Sequence, residues 1–316
     1  MSSKRIVLAI GGNAINRANQ EGTVYDEFRN VREILGGIIG LIRQGYQLLI
    51  THGNGPQAGH SLIRVELGLT RHIPGRPLGV IVADTQGGLG YMIEQSLYNR
   101  LRLENINKQC VTILSQVLVD KNDPAFQNPS KPVGPFYTEL EAKSLEKERG
   151  WQVAEDSGRG WRRVVASPIP QGFVEKDIIK SLVEQDIIVI SGGGGGIPVY
   201  EESNGTLEGL DCVVDKDFSS AILANEIDAE ILIIATGVEK VAINFGKENQ
   251  QDLDRISIAD AKRYIDENQF GKGSMLPKIK AAINFLENGG KKVIITLPET
   301  IHLAIEGKTG TTIEKS

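Results

Sequence analysis

Five short apolar runs constrain this chain more than any other feature: RIVLAI at 5–10, YQLLIT at 46–51, DIIVIS at 186–191, EILIIA at 230–235 and KVIITL at 292–297. Each is too uniformly apolar to keep one face in water, so each reads as a strand buried on both sides. Helical patterns separate them. Residues 26–44 put Val31, Leu35, Ile38, Ile39 and Ile42 on one helical face. Further helices are expected over 84–103, 175–185, 217–226, 257–267 and 275–288, with another strand over 110–117. Strand and helix in alternation predict an α/β protein on a largely parallel sheet.

One segment breaks the alternation. Residues 119–168 are rich in proline and charge and carry both tryptophans, Trp151 and Trp161. They are too long for a plain loop in a compact domain. A helix near 138–148 and a hairpin around Gly158 and Gly160 would make them a small inserted subdomain, either a lid over a site or an arm for self-association.

Composition excludes several classes. A net charge of −5 argues against nucleic acid as the main partner. Two cysteines, Cys110 and Cys212, cannot build a disulfide framework and suit a reducing compartment. The apolar run near the N-terminus ends in Gly-Gly-Asn and reads as a first strand, not a signal peptide. No run approaches the roughly 20 apolar residues of a membrane span. A soluble, cytoplasmic protein is expected.

The same device follows three of the strands: IGGNA at 10–14, THGNGPQ at 51–57 and SGGGGG at 191–196. Glycine after a parallel strand brings bare backbone N–H groups to a helix N-terminus, an arrangement suited to phosphate or carboxylate. In open α/β sheets such turns gather at the carboxyl ends of the strands, where ligands bind. Three of them point to one composite anion site.

Known phosphate motifs fit poorly. A P-loop needs a glycine five residues before Gly-Lys-[Ser/Thr], but His302 stands there for GKT at 307–309 and Asp266 for GKGS at 271–274. GNGPQA at 53–58 matches G-x-G-x-x-[GA] after a strand and keeps an NAD-dependent dehydrogenase open, although it lies in the second strand–helix unit.

Charge to meet an anion is available at three places. In VVDKDFSSA at 213–221, Lys216 precedes Asp217 at a helix start, where the carboxylate can cap the helix. In GSMLPK at 273–278, Gly273 and Ser274 open a helix and Lys278 follows within about a turn. In SKPVGPFYT at 130–138, Pro132 and Pro135 stiffen the chain around Lys131. Either Lys216–Asp217 or Lys278 taken alone is equally a surface charge. No His/Cys cluster has metal-ligand spacing, and His52 adjoins the second glycine turn.

Together these motifs resemble the carbamate kinases of the amino acid kinase family. GGNA at 11–14, GNGPQ at 53–57, KPVGPFY at 131–137, RRVVASP at 162–168, GGGGIPV at 193–199, VDKD at 214–217 and GSMLPK at 273–278 follow in the same order over nearly the whole chain. The resemblance implies a three-layer αβα sandwich on a mainly parallel sheet of about eight strands, with a small inserted subdomain, usually as a homodimer. It implies reversible transfer, ATP + carbamate to ADP + carbamoyl phosphate, with Mg²⁺, running in many members toward ATP in arginine catabolism. An N-terminal lobe over 1–212, with the insertion at 119–168, would hold the acceptor, and a lobe over 213–316 would hold the nucleotide.

By the same resemblance, Gly11, Gly12 and Asn13 with Gly53, Asn54 and Gly55 cradle the acceptor and the migrating phosphoryl group. Gly193, Gly194 and Gly195, with Ser274 and Met275, lie near the nucleotide phosphates. Lys216 and Lys278 bind phosphate and Asp217 holds the lysines. Relatives that phosphorylate amino acids carry a lysine where Asn13 stands, and Lys131 from the insertion supplies the charge instead. The pattern departs at Leu276 and Ala242, near the nucleotide. Another amino acid kinase, or a paralogue with a different carbamate or carboxylate acceptor, is the alternative. A non-catalytic nucleotide sensor is a third.

Overall fold

The computed structural model describes residues 4–17, 20–156 and 158–315. One eight-stranded sheet runs in the order Arg255–Ser257, Thr311–Glu314, Lys292–Thr296, Ile231–Ala235, Arg5–Ile10, Gln47–His52, Ile188–Ile190, Cys110–Thr112. Neighbours pair in parallel from Lys292–Thr296 to Cys110–Thr112, and Thr311–Glu314 pairs antiparallel to Lys292–Thr296.

Alternation along the strands builds two cores. Ile6, Leu8 and Ile10 point to one face and pack with Ile34, Leu35 and Ile38 of helix Val24–Arg43 and with Leu89, Ile93 and Leu97 of helix Leu78–Leu103. Val7 and Ala9 point to the other, toward Leu223 of helix Lys216–Glu226 and Ile279 and Phe285 of helix Met275–Glu287. Helices therefore cover both faces. The central side chains are wholly buried, Leu8 and Ile6 at 0% exposure, each contributing roughly 1.5–3 kcal/mol of burial.

Local signals fix the helix ends. Thr23 and Asp26 form a reciprocal capping box, with Thr23 Oγ1 accepting from Asp26 N and Asp26 Oδ2 accepting from Thr23 N. The long helix begins at Leu78 rather than Asp84, directly after Pro77. The strand expected over 110–117 is two strands. Cys110–Thr112 closes the edge of the main sheet, and Gln116–Val119 joins a second sheet with Leu207–Gly209, Ile197–Glu201 and Pro170–Phe173. An apolar run hides that break because both pieces are apolar.

The insertion is a unit of its own: strands Lys131–Tyr137, Trp161–Val165 and Gln152–Glu155 with helix Glu139–Arg149 across them. Ion pairs and hydrogen bonds tie it to the body. Tyr137 Oη donates to both oxygens of Glu66, and Arg163 Nη2 to Asp211 Oδ2 at 2.9 Å. Among the described residues no helix is long and apolar enough to cross a membrane.

Candidate active site

The carboxyl ends of the parallel strands open into a cavity of about 790 Å³. Its wall takes Asn13 from the first glycine turn, Gly53, Asn54 and Gly55 from the second and Gly194 from the third. Lys131 comes from the insertion, Lys216 and Asp217 from one helix start, and Gly273, Ser274 and Lys278 from another. The three glycine turns and all three candidate lysines thus meet in one place. Gly11, Gly12, Gly193, Gly195 and Met275 are not among the lining residues, and Met275 packs against the core.

Asp217 organises the charge. It is 4% exposed and holds two lysines, with Lys216 Nζ donating to Oδ1 at 2.6 Å and Lys278 Nζ to Oδ2 at 2.8 Å. Burial alone would raise its carboxyl, but the two ammonium charges outweigh burial and hold it well below the usual carboxylate range. Asp217 is not the helix cap. That post falls to Asp215, whose Oδ1 accepts from Asp217 N at 2.9 Å and Phe218 N at 3.4 Å. The reason is geometric, since Asp217 already lies inside the first turn of Lys216–Glu226.

The glycines answer mainly to their own chain. Gly11 N donates to Ala235 O at 3.0 Å and Gly53 N to Ile10 O at 2.9 Å, so these two N–H groups extend the sheet instead of facing an anion. A Cβ on Gly53 would lie 2.6 Å from Gly12 N, which is why two glycine turns can sit side by side. In the third turn, Gly192, Gly194, Gly195 and Gly196 all have positive φ, which glycine adopts without strain. A Cβ on Gly194 would meet Asn54 Nδ2 at 2.2 Å, and one on Gly195 would meet Val214 O at 2.3 Å.

Polar clamps invisible as motifs hold that turn. Gln86, 2% exposed, donates from Nε2 to Gly193 O at 3.0 Å and to Ser115 O at 3.1 Å. Ser115 Oγ accepts from Gly192 N at 2.8 Å, and Ser219 Oγ donates to Gly195 O at 2.7 Å. Asn54 is fixed in turn, its Nδ2 donating to Thr85 Oγ1 at 2.9 Å. His52 is 1% exposed and donates from Nδ1 to Gly53 O at 3.2 Å. Burial pushes its pKa down to about 4, with the charge of Lys216 adding to it, so the ring is neutral near pH 7 and serves as packing. Both thiols are pushed up chiefly by burial, Cys110 to about 11 and Cys212 to about 12, which leaves them unreactive.

The cavity also carries cations from the insertion whose role is not legible in the sequence, although Arg162 opens the motif RRVVASP. Arg159 and Arg162 line it, and Arg162 donates to Gly134 O and to Asp156 Oδ2. Three lysines against two carboxylates, Asp215 and Asp217, leave an excess of positive charge at a set of strand ends, a place for a phosphorylated ligand. Among the described residues no group of three His, Cys, Asp or Glu side chains is disposed to hold a metal ion, and both cavity aspartates are engaged by lysine.

Residues 4–297 match the amino acid kinase family. The carbamate kinase of Pyrococcus horikoshii is 50% identical over 311 residues, covering 98% of this chain and 99% of that protein. The carbamate kinase-like protein YahI of Escherichia coli is 49% identical over 313 residues, with 98% and 99% covered. The structure of carbamate kinase from Giardia lamblia bound to AMP-PNP superposes with a TM-score of 0.93 at 40% identity over the whole of both chains.

Proposed function

The chain belongs to the amino acid kinase family, and on that premise we propose that it is an ATP-dependent phosphotransferase acting on carbamate, ATP + carbamate to ADP + carbamoyl phosphate and back. The observation that carries the reading is the convergence of Lys131, Lys216 and Lys278 on one cavity beside three glycine turns. The similarity to carbamate kinases along the whole chain supports the acceptor.

In the ATP-forming direction, an oxygen of the ADP β-phosphate attacks the phosphorus of carbamoyl phosphate. The bond from phosphorus to the carbamoyl oxygen breaks, and carbamate leaves with that electron pair. No enzyme group forms a covalent intermediate. Catalysis is positioning and charge neutralisation. Lys216 and Lys278 take nucleotide phosphate oxygens, held apart by Asp217. Lys131 takes the migrating phosphoryl group, and Asn13 and Asn54 face the carbamoyl end. In this division residues before 213 serve the acceptor and 213–316 the nucleotide. Among the described residues no group of three His, Cys, Asp or Glu side chains is disposed to hold a metal ion, and Mg²⁺ enters this reading as a companion of the nucleotide phosphates. A cytoplasmic setting rests on the two cysteines and the lack of long apolar runs in the sequence, and a role in arginine catabolism on the family resemblance.

The deciding experiment is coupled detection of ATP from ADP and carbamoyl phosphate with Mg²⁺, beside Lys216→Ala. Strong ATP formation that vanishes in the variant supports the reading. A folded, ADP-binding protein that makes no ATP overturns carbamate as acceptor in favour of another carbamate or carboxylate.

A further inference from the structure

Lys131 reaches the cavity from the first residue of strand Lys131–Tyr137, where its backbone pairs with Val165. Pro132 follows, so the backbone there is stiff, while the side chain is a flexible four-carbon stem. Something must fix its ammonium group. Its Nζ donates to Asp215 Oδ2 at 2.9 Å, with the two side chains 39% and 20% exposed.

Asp215 divides its work between two oxygens. Oδ1 caps helix Lys216–Glu226 through Asp217 N and Phe218 N, and Oδ2 faces the insertion and takes Lys131. The next carboxylate along the chain, Asp217, takes Lys216 and Lys278. The tripeptide Asp215-Lys216-Asp217 therefore gives every cavity lysine a carboxylate. Other ties hold the insertion too, Arg163 to Asp211 and Tyr137 to Glu66, but neither Asp211 nor Glu66 lines the cavity. We propose that Asp215 is a positioning residue for the transfer step: it docks Lys131 over the phosphate site while capping the nucleotide-side helix.

The chemistry suits the task. An ammonium has three donors. One spent on Asp215 leaves two for phosphoryl oxygens, with the stem already ordered before substrate arrives. Without Asp215 the cation would be driven off by Lys216 and Lys278 and would have to be recovered at each turnover.

The proposal rests on the phosphotransferase reading, and the test separates the two. Asn caps helices about as well as Asp, so Asp215→Asn keeps the cap and removes the charge that holds Lys131. Its expected kcat for ATP formation falls at least tenfold, with KM for ADP and the melting temperature near wild type. Combined with Lys131→Ala, it does no further harm. Asp211→Asn, which loosens the insertion elsewhere, multiplies with Lys131→Ala. If Asp215→Asn melts early, Asp215→Ser, another capping residue, takes its place. Labelling with an amine-selective acylating reagent, read by mass spectrometry, should rise several-fold at Lys131 in Asp215→Asn and stay unchanged in Asp211→Asn. A full kcat in Asp215→Asn, losses that multiply in the double variant, or unchanged labelling overturns the proposal. If wild type makes no ATP while Asp215→Asn still shows the labelling rise at Lys131, the carbamate reading is overturned and the docking stands.

Discussion

Lys278 and Asp217 stand 61 positions apart in the chain and meet at 2.8 Å. The contact joins the start of helix Met275–Glu287 to the start of helix Lys216–Glu226. A carboxylate with 4% exposure survives there only because two ammonium groups face it. Asp217→Asn removes the shared anion and leaves Lys216 and Lys278 to repel each other. The expected result is a loss of kcat of about a hundredfold or more, with stability lower by about 3–5 kcal/mol. Steady-state kinetics with urea unfolding checks both, and near wild-type turnover would remove Asp217 from the transfer machinery.

Gly194 gives a sharper structural test. At φ +64° a Cβ would lie 2.2 Å from Asn54 Nδ2, so Gly194→Ala must push Asn54 off Thr85. Backbone strain of about 1–2 kcal/mol adds to that displacement. The expected outcome is a protein destabilised by about 2–3 kcal/mol whose KM for carbamoyl phosphate rises more than its KM for ADP. Gly36→Ala is the control. Gly36 lies on the exposed side of helix Val24–Arg43 with nothing within 4 Å of its Cβ position. That change should stabilise by about 0.4–1 kcal/mol and leave kinetics alone. Equal melting temperatures for the two variants would refute the close-approach account of the glycine run.

How far the site is legible in the sequence follows from the kind of residue involved. Lys131, Lys216 and Lys278 stand out because each sits beside prolines, an aspartate or a glycine turn, although Lys216 and Lys278 taken alone read equally well as surface charges. The sandwich is visible because strands buried on both faces have nowhere else to go. Asp215, Gln86, Ser115 and Ser219 are not. A capping aspartate looks the same whether or not a lysine 84 positions away reaches its second oxygen. A glutamine in the middle of a helix gives no sign that its amide clamps a distant glycine turn. Even the five glycines mislead in part, since their freedom is consumed by contacts with Asn54 and Val214 more than by open space for a ligand.

Glu226 is the last residue of the helix that Asp215 caps. Its side chain is 16% exposed, and its two oxygens accept from Phe173 N at 3.2 and 3.1 Å. Burial pushes its carboxyl up from 4.5 to about 7, against a smaller pull from the Phe173 N–H. Between those values the folded chain keeps a proton that the unfolded chain has lost, so this contribution to stability falls as pH rises through the window. Glu226→Gln keeps an acceptor for Phe173 and does not titrate. Relative to that variant, wild type should lose about 2–3 kcal/mol between about pH 4.5 and pH 8. His52, with its pKa depressed to about 4, makes stability fall as pH drops below 6.5, but it is common to both proteins and cancels in the difference. Urea unfolding across the range checks the slope, and parallel curves would show that Glu226 stays ionised in the fold.

Self-association is the expectation that the cavity says least about, and a different face of the molecule bears on it. Helix Leu78–Leu103 leaves Tyr91 at 56% and Tyr98 at 53% exposure, and the neighbouring segment leaves Leu67 at 63% and Ile73 at 58%. Tyr91 meets the ring of Phe28 edge-on at 6.0 Å, and a cleft of about 550 Å³ nearby is lined by Val24, Val65, Ile73, Leu89 and Met92. Large apolar side chains gathered in this way are a burden for a monomer and a gain for a symmetric pair. We therefore predict a homodimer built on this face, whose cleft shares His60 and Ile81 with the cavity wall but none of the cavity lysines. Light scattering should give twice the chain mass for wild type and the single chain mass for Tyr91→Glu with Tyr98→Glu. A wild-type protein that stays monomeric at micromolar concentration would sink the dimer. A double variant that remains dimeric would move the interface elsewhere.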